Sequence, residues 1–217
     1  MRFFLNQYLS DSWIEFIKFH SEILSFSAGE KIIRQNEPVK GLYFIKTGKV
    51  KVTKEKNNQA FILRFASDND VLGHRGLDEE KCYCISAECY TDTEVTFIPL
   101  NILTQVLKAN AEFTYHFLLF FASELHHLED RILTMQVPAR IAEALILNYE
   151  VFGTKQSNPQ ELSFTIPRKD LAAYAQTTYE SVIRTLQNFK KQGIIELKGK
   201  SIVITNLEKL KSLVAFG

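Results

Sequence analysis

Residues 165–205 carry the pattern that most restricts what this chain can become. Pro167 opens a helix whose inner face is Leu171, Ala172 and Ala175; proline is well tolerated in a first helical turn. Gln176-Thr177 make a short turn. A second helix, from about Thr178 to Gln192, buries Val182, Leu186 and Phe189 at i, i+4 and i+7, and Gly193 ends it. Ile194-Ile195-Glu196-Leu197 and Ser201-Ile202-Val203-Ile204-Thr205 then read as two strands around a basic tip, Lys198-Gly199-Lys200. Two helices joined by a tight turn and followed by a small two-stranded wing make a winged helix-turn-helix.

The outward face of the second helix points to a partner. With the core positions removed, Thr178, Tyr179, Ser181, Arg184, Thr185 and Asn188 remain, and Glu180 sits near the helix start. An arginine donates two hydrogen bonds to guanine O6 and N7, and a glutamate accepts from cytosine N4. Glu180 and Arg184 are four apart and share a face, so they are the leading base-reading candidates, with Tyr179 and Ser181 beside them. Two plainer readings stay open at this point. Thr177 and Glu180 have capping-box spacing, and Glu180 with Arg184 fits a solvated i,i+4 pair worth about 0.3–0.5 kcal/mol.

Charge favours DNA once the chain is divided. The whole carries a net +1. Residues 138–217 hold 11 Lys and Arg against 7 Asp and Glu, a net +4, whereas the remainder holds 15 against 18, a net −3. Arg168, Lys169, Lys198 and Lys200 gather at one helix start and the wing tip. With Thr178 they are the expected phosphate contacts, which fix register without reading sequence.

Upstream the texture differs. Phe3, Phe4, Tyr8, Trp13, Phe16, Ile17, Phe19 and Ile23 fall at mixed three- and four-residue spacings, which predicts one or two short amphipathic helices. Ile32-Ile33, 42–45, 50–52, 61–63 and 95–98 read as strands, with Gly48-Lys49 and Asn57-Asn58 as hairpin turns, in a small barrel or sandwich. Helical period then runs from about 101 to 136. Leu118, Phe121, Leu125, Leu128, Ile132 and Met135 occupy a and d positions of almost three heptads, and Phe113, Phe117 and Phe120 form a stripe on an adjacent face. The first stripe is a candidate dimer seam; a buried monomeric core helix is the other reading. Val137-Pro138 is the expected hinge, since the residue before proline leaves the α region. The Gly153–Pro159 stretch is expected to be a polar loop. The domains are therefore placed at 1–108 (sensor), 109–137 (long helix and hinge) and 138–217 (winged helix).

Other classes fall away. No run approaches the ~18 apolar residues of a membrane span, and the N-terminal stretch is interrupted by Asn6, Gln7 and Asp11, so a signal peptide is not expected. Three Cys without a secretion signal point to a reducing compartment, and the expected location is cytoplasmic. There is no P-loop, dinucleotide fingerprint or nucleophile elbow, so no enzyme is expected.

The whole chain resembles the cyclic-AMP receptor protein/FNR family of bacterial transcription regulators. The pieces occur in the family's order: 26–33, the hairpin 41–50, 91–99, the long helix, the break near Val137-Pro138, Asp170-Leu171-Ala172, Glu180-Ser181-Val182-Ile183-Arg184-Thr185-Leu186, and 191–195. The resemblance implies an α+β chain: an N-terminal cyclic-nucleotide-binding-like β jelly roll, a long dimerisation helix and a C-terminal winged helix-turn-helix. It implies a homodimer whose recognition helices enter successive major grooves of a near-palindromic operator, with RNA polymerase as a further candidate partner. Glu180 and Arg184 match two of the family's base-reading positions. Tyr179 and Ile183 stand where cyclic-AMP-binding members have other residues, which implies a different half-site. Gln176 stands where the family often has Gly.

The ligand cassette departs further. Val71-Leu72-Gly73-His74-Arg75-Gly76 keeps the glycines but puts His74 where the family's ribose-binding Glu falls. Cys82-Tyr83-Cys84-Ile85 replaces the Arg-Ser pair that meets the cyclic phosphate. Losing a buried charge-assisted bond costs about 1.5–3 kcal/mol. Cyclic AMP is therefore not expected to bind in the family's way, and Arg75 is left for a different anion. Gly73, His74, Arg75, Gly76, Tyr83, Cys84 and His126 form the expected effector pocket. An effector there would shift a population at the hinge; a ligand-free, constitutively competent dimer is the other reading. No Cys precedes Cys82, so an iron–sulfur cluster is not expected. Cys82, Cys84 and Cys89 are read as packing residues, His74, His126 and His127 as structural, and no metal or other cofactor is expected. The competing function is a redox or small-molecule sensor that acts through protein contacts with a weak DNA-binding domain.

Overall fold

The computed structural model describes residues 7–134 and 136–215, without the side chains of 127 and 130–134. The expectations for Phe3, Phe4, His127, Ile132 and Met135 therefore lie outside the described residues. Packing divides the chain into two compact units: residues 1–55 with 66–129, and residues 56–65 with 130–217.

In the first unit, helix α1 (Asp11–His20) leads into β1 (Glu22–Phe26), β2 (Lys31–Ile33), β3 (Gly41–Thr47) and β4 (Lys49–Lys56). β5 (Gln59–Ser67), most of which groups with the second unit, β6 (Val71–Leu72), β7 (Ser86–Cys89) and β8 (Thr93–Pro99) follow, with a 3-10 turn at His74–Gly76 between β6 and β7. The strands form two antiparallel sheets of order β1-β8-β3-β6 and β2-β7-β4-β5, the connectivity of an eight-stranded jelly roll. Apolar side chains at alternate positions set the register: Val50 and Val52 of β4 point inward opposite Cys89 and Ala87 of β7.

Asn57 and Asn58 both adopt positive φ (53° and 60°) and join β4 to β5, as a two-residue hairpin turn requires. Gly48 does something else. The local pattern predicts a hairpin turn there, but β3 and β4 belong to different sheets, so Gly48 is a corner where the chain changes sheet. Its φ is +133°, and a Cβ there would lie 2.3 Å from the Thr93 hydroxyl. The turn rule failed because short polar spacing does not say which strands pair.

The helical stretch expected from about 101 is two helices. α2 (Leu100–Ala109) stops at Asn110, whose extended backbone (φ −126°, ψ 92°) breaks the run before α3 (Ala111–Thr134). Ile102, Leu103 and Val106 of α2 join Phe113, Phe117 and Phe120 of α3 in one core with Leu42, Val71 and Ile98 of the roll. The rings of Phe113, Phe117 and Phe120 stack in sequence along α3.

In the second unit, α4 (Val137–Phe152) carries Pro138 in its first turn, where the missing N–H has no intrahelical role. β9 (Thr154–Lys155) and β10 (Asn158–Leu162) follow, then α5 (Arg168–Ala175), α6 (Tyr179–Lys191), β11 (Ile195–Lys198), β12 (Ser201–Ile204) and α7 (Leu207–Ala215). The expected polar loop over 153–159 is thus a hairpin. β10 pairs with β12 and the wing is a four-stranded sheet, β11-β12-β10-β9, rather than two strands. Period-two alternation is weak in Asn158–Leu162, and the partner strand lies some forty residues downstream, so the sequence gives little local signal. α4 packs against α5 and α7, and Asn148 of α4, fully buried, donates to the Phe164 carbonyl at 2.8 Å. Within this unit the Phe65 ring stacks on Tyr174 at 5.3 Å.

Candidate nucleic-acid interface and sensor cassette

The helix-turn-helix is built from α5 and α6. α5 buries Leu171, Ala172 and Ala175 as expected, and Tyr174 as well. Two bonds fix it to α4: Arg140 Nε donates to the Ala175 carbonyl at 2.8 Å, a cation at a helix C-terminus, and the Tyr174 hydroxyl donates to the Glu143 carboxylate at 2.8 Å. The turn is made by Gln176 in the left-handed region (φ 48°, ψ 52°), a conformation that glycine adopts at less cost. Thr178 caps α6, and its hydroxyl accepts from the Ser181 N–H at 3.2 Å. The cap is therefore one residue later than the Thr177–Glu180 spacing indicated. This leaves the Glu180 side chain out of the cap.

α6 buries Val182, Thr185, Leu186 and Phe189. Thr185 was expected outside and is inside; its methyl and short side chain fit the core row that Val182 and Phe189 define. Tyr179, Glu180, Ile183, Arg184 and Asn188 are exposed, with Ser181 half-buried. Among the described residues no ion pair joins Glu180 to Arg184, so both side chains face solvent unengaged.

The wing tip stands beside the start of α5. Arg168 Nη1 donates to the Lys200 carbonyl at 2.8 Å, so this guanidinium is turned to the wing as well as to solvent. Burial pulls the Arg168 pKa down, and the neighbouring Tyr179 phenol opposes that. Lys169, Lys198 and Lys200 are exposed; Lys198 lies 3.8 Å from Glu196. Between wing and helices runs a groove of about 630 Å³ bordered by Arg168, Lys169, Tyr179, Ile183, Leu197 and Lys200. Its lining combines apolar side chains with three cations.

In the first unit the sensor cassette comes together around α3. Gly73 has φ +92°, and a Cβ would lie 3.0 Å from the Tyr83 ring and 3.2 Å from the Gly41 carbonyl oxygen. The turn that follows turns His74 inward, where it is 2% exposed and meets Phe120 and Phe121 edge-on at 5.0 and 5.2 Å. Arg75 Nη2 lies 2.8 Å from Glu124 Oε2, and His74 Nε2 lies 3.6 Å from the same oxygen. The anion that Arg75 meets is thus the chain's own. Tyr83 is also satisfied internally. Its hydroxyl donates to the Gly41 carbonyl at 2.8 Å and accepts from the N–H groups of Lys40 and Gly41 at 3.2 and 3.3 Å. The Cys84 thiol donates to the Arg75 carbonyl at 3.5 Å.

Gly73, His74, Arg75, Gly76, Tyr83 and Cys84 therefore lie together, and His126 is exposed on α3. Glu124 is a site residue that the local motifs do not reveal. A signal existed, because Phe113, Phe117, Phe120 and Glu124 continue one helical stripe, and a carboxylate on an apolar stripe needs a cation. Cys82 forms an isolated bridge to Pro38 rather than part of a strand. Cys89 is buried, and burial pushes its thiol pKa up. Among the described residues no group of three or more His, Cys, Asp or Glu is placed to hold a metal ion.

The expected dimer seam is altered. Leu118 (64% exposed) and Leu125 (57%) face solvent, with Tyr115 and Leu119 beside them. Leu128 is half-buried, and Phe121 packs against His74, Phe117 and Phe120 on the inner side. The heptad assignment put Phe121 outside because 118, 121 and 125 alternate three and four; the roll takes that ring first. Among the described residues no helix is long and apolar enough to cross a membrane.

Comparisons with known proteins agree with this architecture. Residues 23–110 match the cyclic nucleotide-binding domain and residues 139–213 the Crp-like helix-turn-helix domain. The electron transport regulator A of Shewanella oneidensis is 27% identical over 191 residues, 85% of this chain and 75% of that protein. A CRP-like cAMP-activated global transcriptional regulator of Mycobacterium tuberculosis is 25% identical over 86% of this chain and 85% of its own length. The solved structure of FixK2 from Bradyrhizobium japonicum superposes with a TM-score of 0.79 at 25% identity, covering 91% of this chain and 98% of that one. These relatives are regulators rather than enzymes, and by both domains and their order this chain belongs to the cyclic-AMP receptor protein/FNR family of DNA-binding transcription regulators.

Proposed function

We propose that this chain is a sequence-specific transcription regulator that works in the cytoplasm as a homodimer on a near-palindromic operator, in company with RNA polymerase, and that cyclic AMP is not its effector. The observation that carries the reading is the pair Glu180 and Arg184, exposed and unengaged on the first turns of α6, the helix whose Tyr179 and Ile183 line a groove with Arg168, Lys169 and Lys200. Arg184 reads a guanine, Glu180 accepts from a cytosine, and the lysines meet phosphates. The solvent-facing Leu118 and Leu125 supply the dimer contact, and two copies place two recognition helices one DNA turn apart.

The sensor cassette supports the second half. A ligand anion at Arg75 would have to displace the Glu124 carboxylate, and Tyr83 offers its hydroxyl to the chain's own backbone. An effector of different chemistry, entering beside the Arg75–Glu124 pair, remains compatible with this arrangement. The test is selection of bound sequences from random oligonucleotides, repeated with Arg184→Ala. A motif that loses its guanine preference in the variant supports the reading; a motif that survives unchanged overturns the assignment of α6.

A further inference from the structure

Two large apolar side chains stand in the open on α6: Tyr179 is 51% exposed and Ile183 37%. They are four residues apart and so form one row along the helix, next to the row of Glu180 and Arg184. An isoleucine on a helix surface is a mediocre helix former and gains nothing from water. Both residues border the groove whose other walls carry Arg168, Lys169 and Lys200. An apolar row inside a cationic frame fits a polyanion that also displays apolar groups. Duplex DNA is such a partner: its phosphates match the frame, and in the major groove it presents one apolar substituent, the 5-methyl group of thymine.

Taking α6 as the recognition helix, we infer that Tyr179 and Ile183 read thymine methyl groups next to the base pairs engaged by Glu180 and Arg184. The half-site then combines a G·C pair chosen by hydrogen bonding with neighbouring A·T pairs whose thymine is chosen by apolar contact. Tyr179 covers the methyl with its ring face, and Ile183 supplies the branched edge. The two rows thus recognise different chemistry on the same strip of groove.

Deoxyuridine substitution isolates the effect, because it removes the 5-methyl group and keeps every hydrogen-bonding group. Each thymine of the selected half-site is replaced in turn, and binding of the full-length protein is measured at fixed salt. One buried methyl corresponds to about a three- to fivefold change in affinity. Wild type is expected to weaken by that factor per half-site at one or two thymines. Ile183→Ser should bind the thymine and deoxyuridine forms of the affected position equally while keeping the guanine preference set by Arg184. Equal wild-type affinity for thymine and deoxyuridine at every position, on a motif that still depends on Arg184, overturns this inference and leaves the proposed function standing. Absence of any selected motif, or a motif indifferent to Arg184→Ala, overturns both.

Discussion

Glu124 Oε2 lies 2.8 Å from Arg75 Nη2 across 49 residues of sequence, tying α3 to the turn after β6. The carboxylate is largely buried and also lies 3.6 Å from His74 Nε2. Replacing it with an amide leaves the guanidinium short of its counter-charge in a site with little water. Glu124→Gln is expected to destabilise the sensor unit by about 2 kcal/mol, within the range for hydrogen bonds to charged groups. Denaturant midpoints check this, and a double-mutant cycle with Arg75→Gln should return most of the loss as coupling.

The same arrangement predicts the outcome with cyclic AMP. Isothermal calorimetry with the nucleotide should give no heat of binding in the micromolar range, because Arg75 is held by Glu124 and Tyr83 carries no charge. Micromolar affinity for the wild-type chain would contradict the reading of the cassette.

Gln176 holds a left-handed conformation that costs an L-residue roughly 1–2 kcal/mol. Glycine removes that cost and adds some unfolded-state entropy. Gln176→Gly should therefore raise stability by a net of about 0.5–1 kcal/mol, with the DNA motif unchanged. Thermal unfolding and oligonucleotide selection check the two halves separately.

Leu118 and Leu125 are exposed on α3 and touch little of their own chain. If the proposed dimer forms through this face, Leu125→Glu should leave the fold intact and yield a monomer, because two carboxylates would then face each other across the seam. Sedimentation equilibrium reads the mass, and far-UV circular dichroism should be unchanged.

Burial raises the Cys89 pKa above its ordinary value, with a hydrogen bond to Thr93 opposing it. The folded state favours the thiol, so its contribution to stability is complete below the ordinary cysteine range. That contribution is lost as pH climbs through the raised value. Alkylation at pH 8 should accordingly label Cys89 last, after the half-buried Cys82 and Cys84, and only at the rate of unfolding. Peptide mapping of a time course decides it. Early labelling of Cys89 would contradict the burial argument.

Sequence reading reached the second unit best. Leu171, Ala172, Ala175, Val182, Leu186 and Phe189 follow strict helical period, and the wing strands are β-rich runs around a glycine. Failures came where tertiary contacts outweigh local pattern. The strand Asn158–Leu162 exists because β12 offers it an edge, and Thr185 is inside because it falls on the buried face that Val182, Leu186 and Phe189 share. Phe121 satisfied the heptad and was taken by His74 instead. Of the cassette, the local run from Gly73 to Gly76 was legible. Glu124 was not, since its role depends on a partner 49 residues away.

The bond from Arg168 to the Lys200 carbonyl also bears on how the proposed operator would be met. It holds the backbone of the hairpin tip in place before any DNA arrives, so the segment that carries Lys198 and Lys200 would lose little further backbone freedom on association. A lysine at 168 would keep the number of cations, and with it the number of counterions released. It would not keep the tether. Such a protein would bind with the same dependence on salt and a weaker affinity, the difference being the entropy of ordering a loose wing.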